Sequence, residues 1–600
     1  MPKNKKYPTI KYTSRDFNSI RSDLIDYAQK HYSNTFKDFS EAGFGSLMLD
    51  TTAYIGDILS FYLDYSVNES FLDTAIEYDN VLKLGRQMGY KFNPNPSSYG
   101  VATFYIIVPA PTTGTGPDTD YVPILKRGTQ VSSIDGVGFT LNEEVNFANP
   151  NNEIVVAKVN ETTGVPTFYA IKAKGQVVSG EIQSTQFNLG KFQKFLKLRL
   201  NVDNVTEVVS VFDGEGHEYF EVDYLSQDVV YRSTKNRGTD NKTVQSTLRP
   251  FVVPRRFTIE RTRTELFLQF GFGTEIEDTS VDPAVDPSRV VLDVHGKNYT
   301  SDTSFDPTNF LKTDKLGVAP SDTTLTVSYR VNDAKNTNVG ADSIINVDAP
   351  FFEFADSSIL NNAKLNNVIN SLEVTNEESI TGDVTLPNSE ELKKRIYNVF
   401  SSQNRAVTLQ DYKSLCYSMP PQFGAIKRVN IVRDPDSFRR NLNLYVISED
   451  EDGNLVKTSQ AIKDNLKLWL NQSRMINDTI DILDAKIVNI GFEFTAISSL
   501  NANKFDVLSD AITQLVSYYN QKFEIGDPFY VTDIYNQVNK MDGIIDVSRV
   551  KVIRKDGEAY SSLWFDMDDN FSEDGRYIRV PNNVIFEIKY PDVDIKGSIE

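Results

Sequence analysis

The sequence predicts a multidomain α+β protein with an N-terminal helical bundle segment, a β-rich middle region and C-terminal α+β sandwich domains. Three observations predict it. Apolar residues recur at helical spacing over residues 13–89. Short strand-like runs punctuated by turn residues fill 99–350. From 389 to 555, helical and strand patterns alternate. The expected boundaries are 1–98 for the helical domain, 99–350 for the β-rich region in two lobes, 351–388 for a linker, 389–555 for an α+β domain and 556–600 for an acidic loop with an edge strand.

In the helical part, Thr13 and Asp16 form a capping-box start. Phe17, Ile20, Leu24, Tyr27 and His31 then mark one face, expected to be buried. The next helix, over 44–65, differs. Leu47, Met48, Leu49, Tyr54, Ile55, Ile58, Leu59, Phe61, Tyr62 and Leu63 cover most of its circumference. Asp50, Asp57 and Asp64 fall seven residues apart on one line. A helix with a single narrow polar line is packed on most of its sides. Two arrangements satisfy this: a central helix in a bundle within the chain, or a helix completed by partner chains.

Asn93-Pro94-Asn95-Pro96 ends the helical region, because the residue before a proline avoids the helical conformation. Strands are expected near 101–108, 153–159, 168–174, 196–202, 207–212, 257–260, 266–270 and 325–331, with a turn at Asp213-Gly214. Residues 272–288 are expected to be an exposed loop and 355–388 a polar linker. Further on, Asn388 and Glu391 cap one helix, and Thr408 with Asp411 forms a capping box for another. Strands at 424–433 and 441–448, a helix around Ile462 to Leu470, a strand at 490–496, a helix over 505–519, a short helix at 532–540 and a strand at 545–553 complete a split α/β sandwich.

Composition bounds the function. The chain has 600 residues and a formal net charge of −20, which repels phosphate backbones and argues against nucleic acid as the main ligand. It carries 37 Phe and 29 Tyr, enough aromatic mass to argue against global disorder. The single cysteine, Cys416, forbids an intrachain disulfide and fits folding in a reducing cytoplasm. The N-terminus lacks the apolar core of a signal peptide. The most apolar stretch, 44–65, holds three aspartates, so no membrane insertion is expected.

No catalytic or cofactor-binding signature stands out. His31, His217 and His295 lie in separate regions without a second His or Cys at ligand spacing. Cys416 on an amphipathic helix is expected to be a buried structural thiol. Ser448, Asp450, Asp452 and Gly453 imitate half of a calcium loop, but Ser448 and Ser459 stand where carboxylates are needed. Asp566, Asp568 and Asn570 do the same, with Phe571 and Tyr577 at the wrong positions. Gly271-Phe272-Gly273 lacks the lysine of a phosphate loop. Arg255, Arg256, Arg261 and Arg263 flank a strand, either as a solvated edge or as a surface for an acidic neighbour such as another copy of this chain. Lys3–Lys6 is a short basic tail.

Several stretches together resemble the baseplate J-like family, in particular the large wedge subunit of contractile-tail phage baseplates. They are FGSLMLDTTAYIGDILSFYLDYSVNESFLDTA with KLGRQMGY, VSVFDGEGHEYFEVDYLSQDVVY with LFLQFGFGTE, LGVAPSDTTLTVSYRV, NRAVTLQDYKSLCYSMPPQFGAIKRVNIV, and FEIGDPFYVTDIYNQVNKMDGIIDVSRVKV. They spread in order over residues 13–553; the tail after 556 has no counterpart in the resemblance.

The resemblance implies a virion protein of the tail baseplate, assembled in the host cytoplasm and not an enzyme. Its implied partners are a second copy of itself, other baseplate wedge subunits, and sheath-initiating and hub-proximal tail proteins. It implies a ring of wedges around a central hub that couples receptor-triggered rearrangement to sheath contraction. It also tilts the helix at 44–65 towards packing with partner chains. Leu47, Tyr54, Ile55, Ile58, Leu59, Phe61 and Tyr62 are then the expected partner interface, and Asp50, Asp57 and Asp64 its wet or polar-contact line. The equivalent subunit of a phage-tail-like bacteriocin or other contractile injection machine is the alternative within the class. A carbohydrate-active tail enzyme is the alternative outside it.

Overall fold

The computed structural model describes residues 16–599 except 33–42, 93–95, 112–114, 163, 236–245, 263–264, 274–315, 333–335, 356–359, 404, 436, 438–440, 500–502, 520–522 and 558. N-terminal helices are followed by a β-rich region and a mixed α/β C-terminal region, an α+β multidomain fold. The chain divides into two compact units, residues 1–91 with 387–400, and residues 92–386 with 401–600.

The first unit is helical. Helix α1 spans Phe17–His31 and is capped by Asp16, whose carboxylate accepts from the Ser19 backbone N–H at 3.2 Å. The Ser19 hydroxyl, then its amide, hold the Asp16 carboxyl below its usual range. Thr13, expected as that cap, lies outside the described residues. Helix α2 spans Phe44–Asn68 and α3 spans Tyr78–Gln87. Between them, the Glu69 carboxylate accepts from the backbone N–H of Ile76 at 2.9 Å and from the Asn80 amide at 2.9 Å. This ties the chain entering α3 and the helix's first turn back to the end of α2. Gly85 is the point of close approach to Ile396: a Cβ there would lie 2.7 Å from the Ile396 side chain.

The second unit holds the sheets. In the first sheet, Tyr99–Pro109 pairs antiparallel with Pro166–Ser179 over its whole length. Ala102, Phe104, Ile106 and Val108 alternate inward and are fully buried, while Val101 and Ile107 are exposed. This is the period-2 pattern of a sheet with one covered face. Its core takes in Val368, Leu372 and Val374. Those residues belong to the segment expected as a linker. Residues 351–388 instead contain a helix, Asn362–Asn370, and a strand, Glu373–Thr375, that completes the sheet edge. The segment is polar in sequence because only one side of each element reaches the core.

The second sheet has seven strands and its own core around Val211, Phe257, Leu268, Phe270 and Val327. Gly180, at φ 96°, turns the chain from the first sheet into the second. A Cβ there would lie 2.7 Å from the Val331 carbonyl oxygen. The expected turn at Asp213-Gly214 is present, with the Asp213 carboxylate accepting from the amides of Glu215 at 3.0 Å and His217 at 2.8 Å.

The C-terminal region has two four-stranded sheets flanked by helices. The Thr408–Asp411 capping box forms and starts Leu409–Tyr417, and Asn388 accepts from the Glu391 amide at 2.8 Å. Residues beyond 556 are more than a loop with an edge strand. Val584–Glu587 and Ile595–Ile599 both pair in parallel with Lys486–Ser498, and Ile585, Phe586 and Ile595 are buried.

Candidate partner-binding surface

Helix α2 is built the opposite way round from a helix in a self-sufficient bundle. Its only buried residues are Ser46 and Ala53. Asp50, Gly56, Asp57, Ser60 and Asp64 are half-buried and fall on the same stripe at helical spacing. That stripe faces α1. Arg21 forms an ion pair with Asp50 and lies 3.4 Å from the Ser46 hydroxyl, and a Cβ on Gly56 would touch Ile20 at 3.3 Å. The aspartate line, expected to be a wet or polar-contact line, faces α1 and makes its polar contact there through Asp50. Small residues along the stripe let the two helices approach, and the guanidinium of Arg21 supplies the polar partner.

The apolar residues point the other way. Leu47, Tyr54, Ile55, Leu59, Phe61 and Tyr62 are exposed, Phe61 at 65%, and Ile58 is half-buried. The expected face of α1 is not buried either: Phe17, Ile20 and Leu24 are half-buried, while Tyr27 and His31 are exposed, their rings tilted against one another with centroids 4.6 Å apart. One helix of this length cannot cover α2. Phe44, Met48, Leu63, Val67, Phe71 and Ile76 extend the exposed surface, Ile76 at 77%. Phe71 and Ile76 follow the end of α2, where helical periodicity gives no signal. The result is a long apolar surface on a helix, a feature that marks interaction sites in soluble proteins. Among the described residues no helix is long and apolar enough to cross a membrane.

Other sequence candidates are structural. Arg256 and Arg261 do not form a solvated edge. Arg256 is buried and donates to the carbonyl oxygens of Leu225 at 2.6 Å and Val253 at 2.8 Å. Arg261 donates to the Val205 carbonyl at 2.8 Å and also to Thr206 O, and burial pushes its guanidinium down to about 10. Arg255 lies 3.9 Å from Asp213, and Arg263 lies outside the described residues. Cys416 is buried, which pushes its thiol up. Asp450 closes its own turn, accepting from the amides of Asp452 at 3.0 Å and Asn454 at 2.8 Å, with Gly453 at φ 83°. Asp566 caps the short helix Met567–Asn570. His217 lies 3.2 Å from Asp213. His295, Lys3–Lys6, Asn93–Asn95 and most of 272–288 fall outside the described residues. Among the described residues no group of three or more His, Cys, Asp or Glu is placed to hold a metal ion.

One buried polar junction was not legible in sequence. The Asp383 carboxylate accepts from Thr337 N–H at 3.1 Å and its hydroxyl at 3.3 Å. The Asn338 amide donates to the Asp383 and Glu449 carbonyls, at 2.8 and 3.0 Å. Glu449 pairs with buried Lys427 and accepts from Thr385 N–H at 2.7 Å. Burial, with repulsion from Glu449, pushes the Asp383 carboxyl up to about 6. The junction ties segments far apart in sequence; its groups hydrogen-bond to one another.

Residues 16–87, which carry α1, α2 and α3, match the sequence profile of a family described as bacteriophage baseplate protein, N-terminal domain. No curated protein matches the chain. Among solved structures, a chain of the anti-feeding prophage baseplate, resolved by electron cryomicroscopy, aligns at 8% identity and a TM-score of 0.22, covering 96% of this chain and 90% of the other. A chain of the type VI secretion system TssK-TssF-TssG baseplate subcomplex aligns at 9% identity and a TM-score of 0.22, covering 73% of this chain and 96% of the other.

Proposed function

We propose that this chain is a structural subunit of a contractile-tail baseplate, a wedge component of the baseplate J-like kind. It acts through interfaces and not through catalysis. The observation that carries the reading is α2, whose apolar circumference is exposed while its polar stripe faces α1, within the segment that matches a baseplate family. Such a helix is completed by helices of neighbouring subunits. Leu47, Tyr54, Ile55, Ile58, Leu59, Phe61 and Tyr62 are the proposed contact residues. Burying each side chain of this size stabilises an assembly by roughly 1.5–3 kcal/mol, before the cost of association is subtracted. In the finer reading, the subunit joins a second copy and other wedge and hub-proximal proteins in a ring. Smaller contacts of the ring then switch between two arrangements and couple receptor binding to sheath contraction.

Co-expression with neighbouring tail genes, followed by native mass measurement, tests the reading. A stoichiometric heteromeric complex is expected, and Leu59→Asp or Phe61→Asp should prevent it while leaving the thermal melt of the free chain unchanged. A variant that still co-purifies stoichiometrically would sink the proposed interface. A wild-type chain that stays alone beside every tail protein would sink the baseplate reading.

A further inference from the structure

One hairpin turn is held by three segments far apart in the chain. It joins Asn441–Glu449 to Leu455–Val456, which pair antiparallel. The Asp450 amide closes it on the Asn454 carbonyl at 2.9 Å. Side chains from elsewhere take up the turn's other carbonyls. The Asn336 amide donates to Glu451 O at 2.8 Å and to Asp450 O at 3.3 Å, and the Asn338 amide to Glu449 O at 3.0 Å. The Asn338 oxygen accepts from the Ser98 hydroxyl at 2.8 Å and the Asp383 N–H at 3.0 Å, so the same side chain also holds the entry to the first sheet. On the other side, Glu587 at the end of Val584–Glu587 accepts from Leu455 N–H at 2.6 Å and from the Asn489 amide at 2.8 Å.

This seat is crowded with carboxyl groups. Glu449 and Glu587 are buried and Asp383 is half-buried. Lys427 is engaged by Glu449 and the Thr385 hydroxyl. Arg428 is turned to the Phe523 carbonyl at 3.0 Å and to Glu524, and Lys589 to the Ala559 carbonyl at 2.8 Å. Among the described residues neither Asp383 nor Glu587 forms an ion pair. Burial, with Glu449 adding to it, raises Asp383, and burial with Asp450 raises Glu587. Glu451 is raised as well, by burial and then by Asp135, Asp452 and Asp450. A cavity of about 230 Å³ adjoins the turn, lined in part by Asp452, Asn454, Tyr519, Phe523 and Glu587. It leaves the turn space to move and an ionised Glu587 room for water.

We propose that the turn 450–454 is a proton-operated latch, seated between segment 336–338 and Glu587 while Asp383 and Glu587 hold protons and lifting from that seat as they ionise. A carboxyl raised by the closed seat binds its proton more tightly when the latch is closed than when it is open. Closure is therefore favoured below the ordinary carboxylate range and weakens as pH rises through about 6. Opening releases the entry to the first sheet and the C-terminal strand from the turn they share, so acid stiffens this part of the chain. The latch operates whatever the chain assembles with.

Hydrogen exchange of the full chain at pH 5 and pH 7.5 tests it, with each amide's rate divided by its intrinsic rate at that pH. Leu455 N–H bonds Glu587 and Thr337 N–H bonds Asp383. Protection of both should fall about tenfold between the two pH values, the ratio produced by a carboxyl raised from 3.8 to about 6. The amide of Phe104, fully buried in the first sheet, should keep its protection and reports that each variant is folded. Asp383→Asn and Glu587→Gln preserve shape; each should shrink the fall, and the double variant should remove it. Wild-type protection that does not change with pH, an equal fall at Phe104, or a full fall in the double variant would each overturn the latch.

Discussion

Arg21 of α1 is ion-paired with Asp50 of α2, and among the described residues this pair lies on the covered stripe of α2. The polar contact lies on the same stripe as the close approach of Ile20 to Gly56. Both side chains keep about a third of their surface exposed, so the pair orients the helices more than it stabilises them.

A double-mutant cycle with Arg21→Ala and Asp50→Ala should therefore give a coupling energy of about 0.5–1 kcal/mol, reduced at high salt. Urea melts of the free chain measure it. A coupling indistinguishable from zero would mean that the small residues of the stripe alone set the approach.

Asp383 predicts a pH dependence. Its folded-state carboxyl is raised to about 6 from an ordinary value near 3.8. The folded chain thus binds this proton more tightly than the unfolded chain. The stabilisation is fully present below about pH 4 and is lost as pH rises through about 6. Asp383→Asn keeps an oxygen acceptor for Thr337 and removes the buried charge next to Glu449. It should stabilise the protein by about 1–2 kcal/mol at pH 7.5 and change it little at pH 4. Chemical denaturation at both pH values checks this; destabilisation at pH 7.5 would contradict it.

Gly180 predicts a backbone effect. At φ 96°, beside the Val331 carbonyl, no L side chain fits without strain. Gly180→Ala should cost at least about 2 kcal/mol of stability. A melt within about 0.5 kcal/mol of wild type would show that the passage between the two sheets can shift to accommodate a Cβ.

Much of the fold was legible because it rests on local rules. The Thr408–Asp411 box, the Asn388 cap and the turn at Asp213 depend on residues within four positions of each other, and the structure forms all three. Segment 351–388 was misread because its helix buries a single residue, Val368, and its strand has only three residues, too little pattern for periodicity to register. The arginines at 256 and 261 read as a solvated edge or a surface for an acidic neighbour because charge in sequence does not reveal which guanidinium will meet buried carbonyls.

The candidate surface divides in the same way. By itself the sequence determined that α2 is a helix, that its apolar residues cover most of its circumference and that its aspartates form one line. Periodicity encodes this, because a helix places residues on faces by spacing alone. Which face turns inward was decided only by tertiary structure. Arg21, on a different helix, is the partner that draws the aspartate line inward, and a long-range ion pair leaves no periodic trace in either helix. That choice is what leaves Leu59, Phe61 and Tyr62 facing outward.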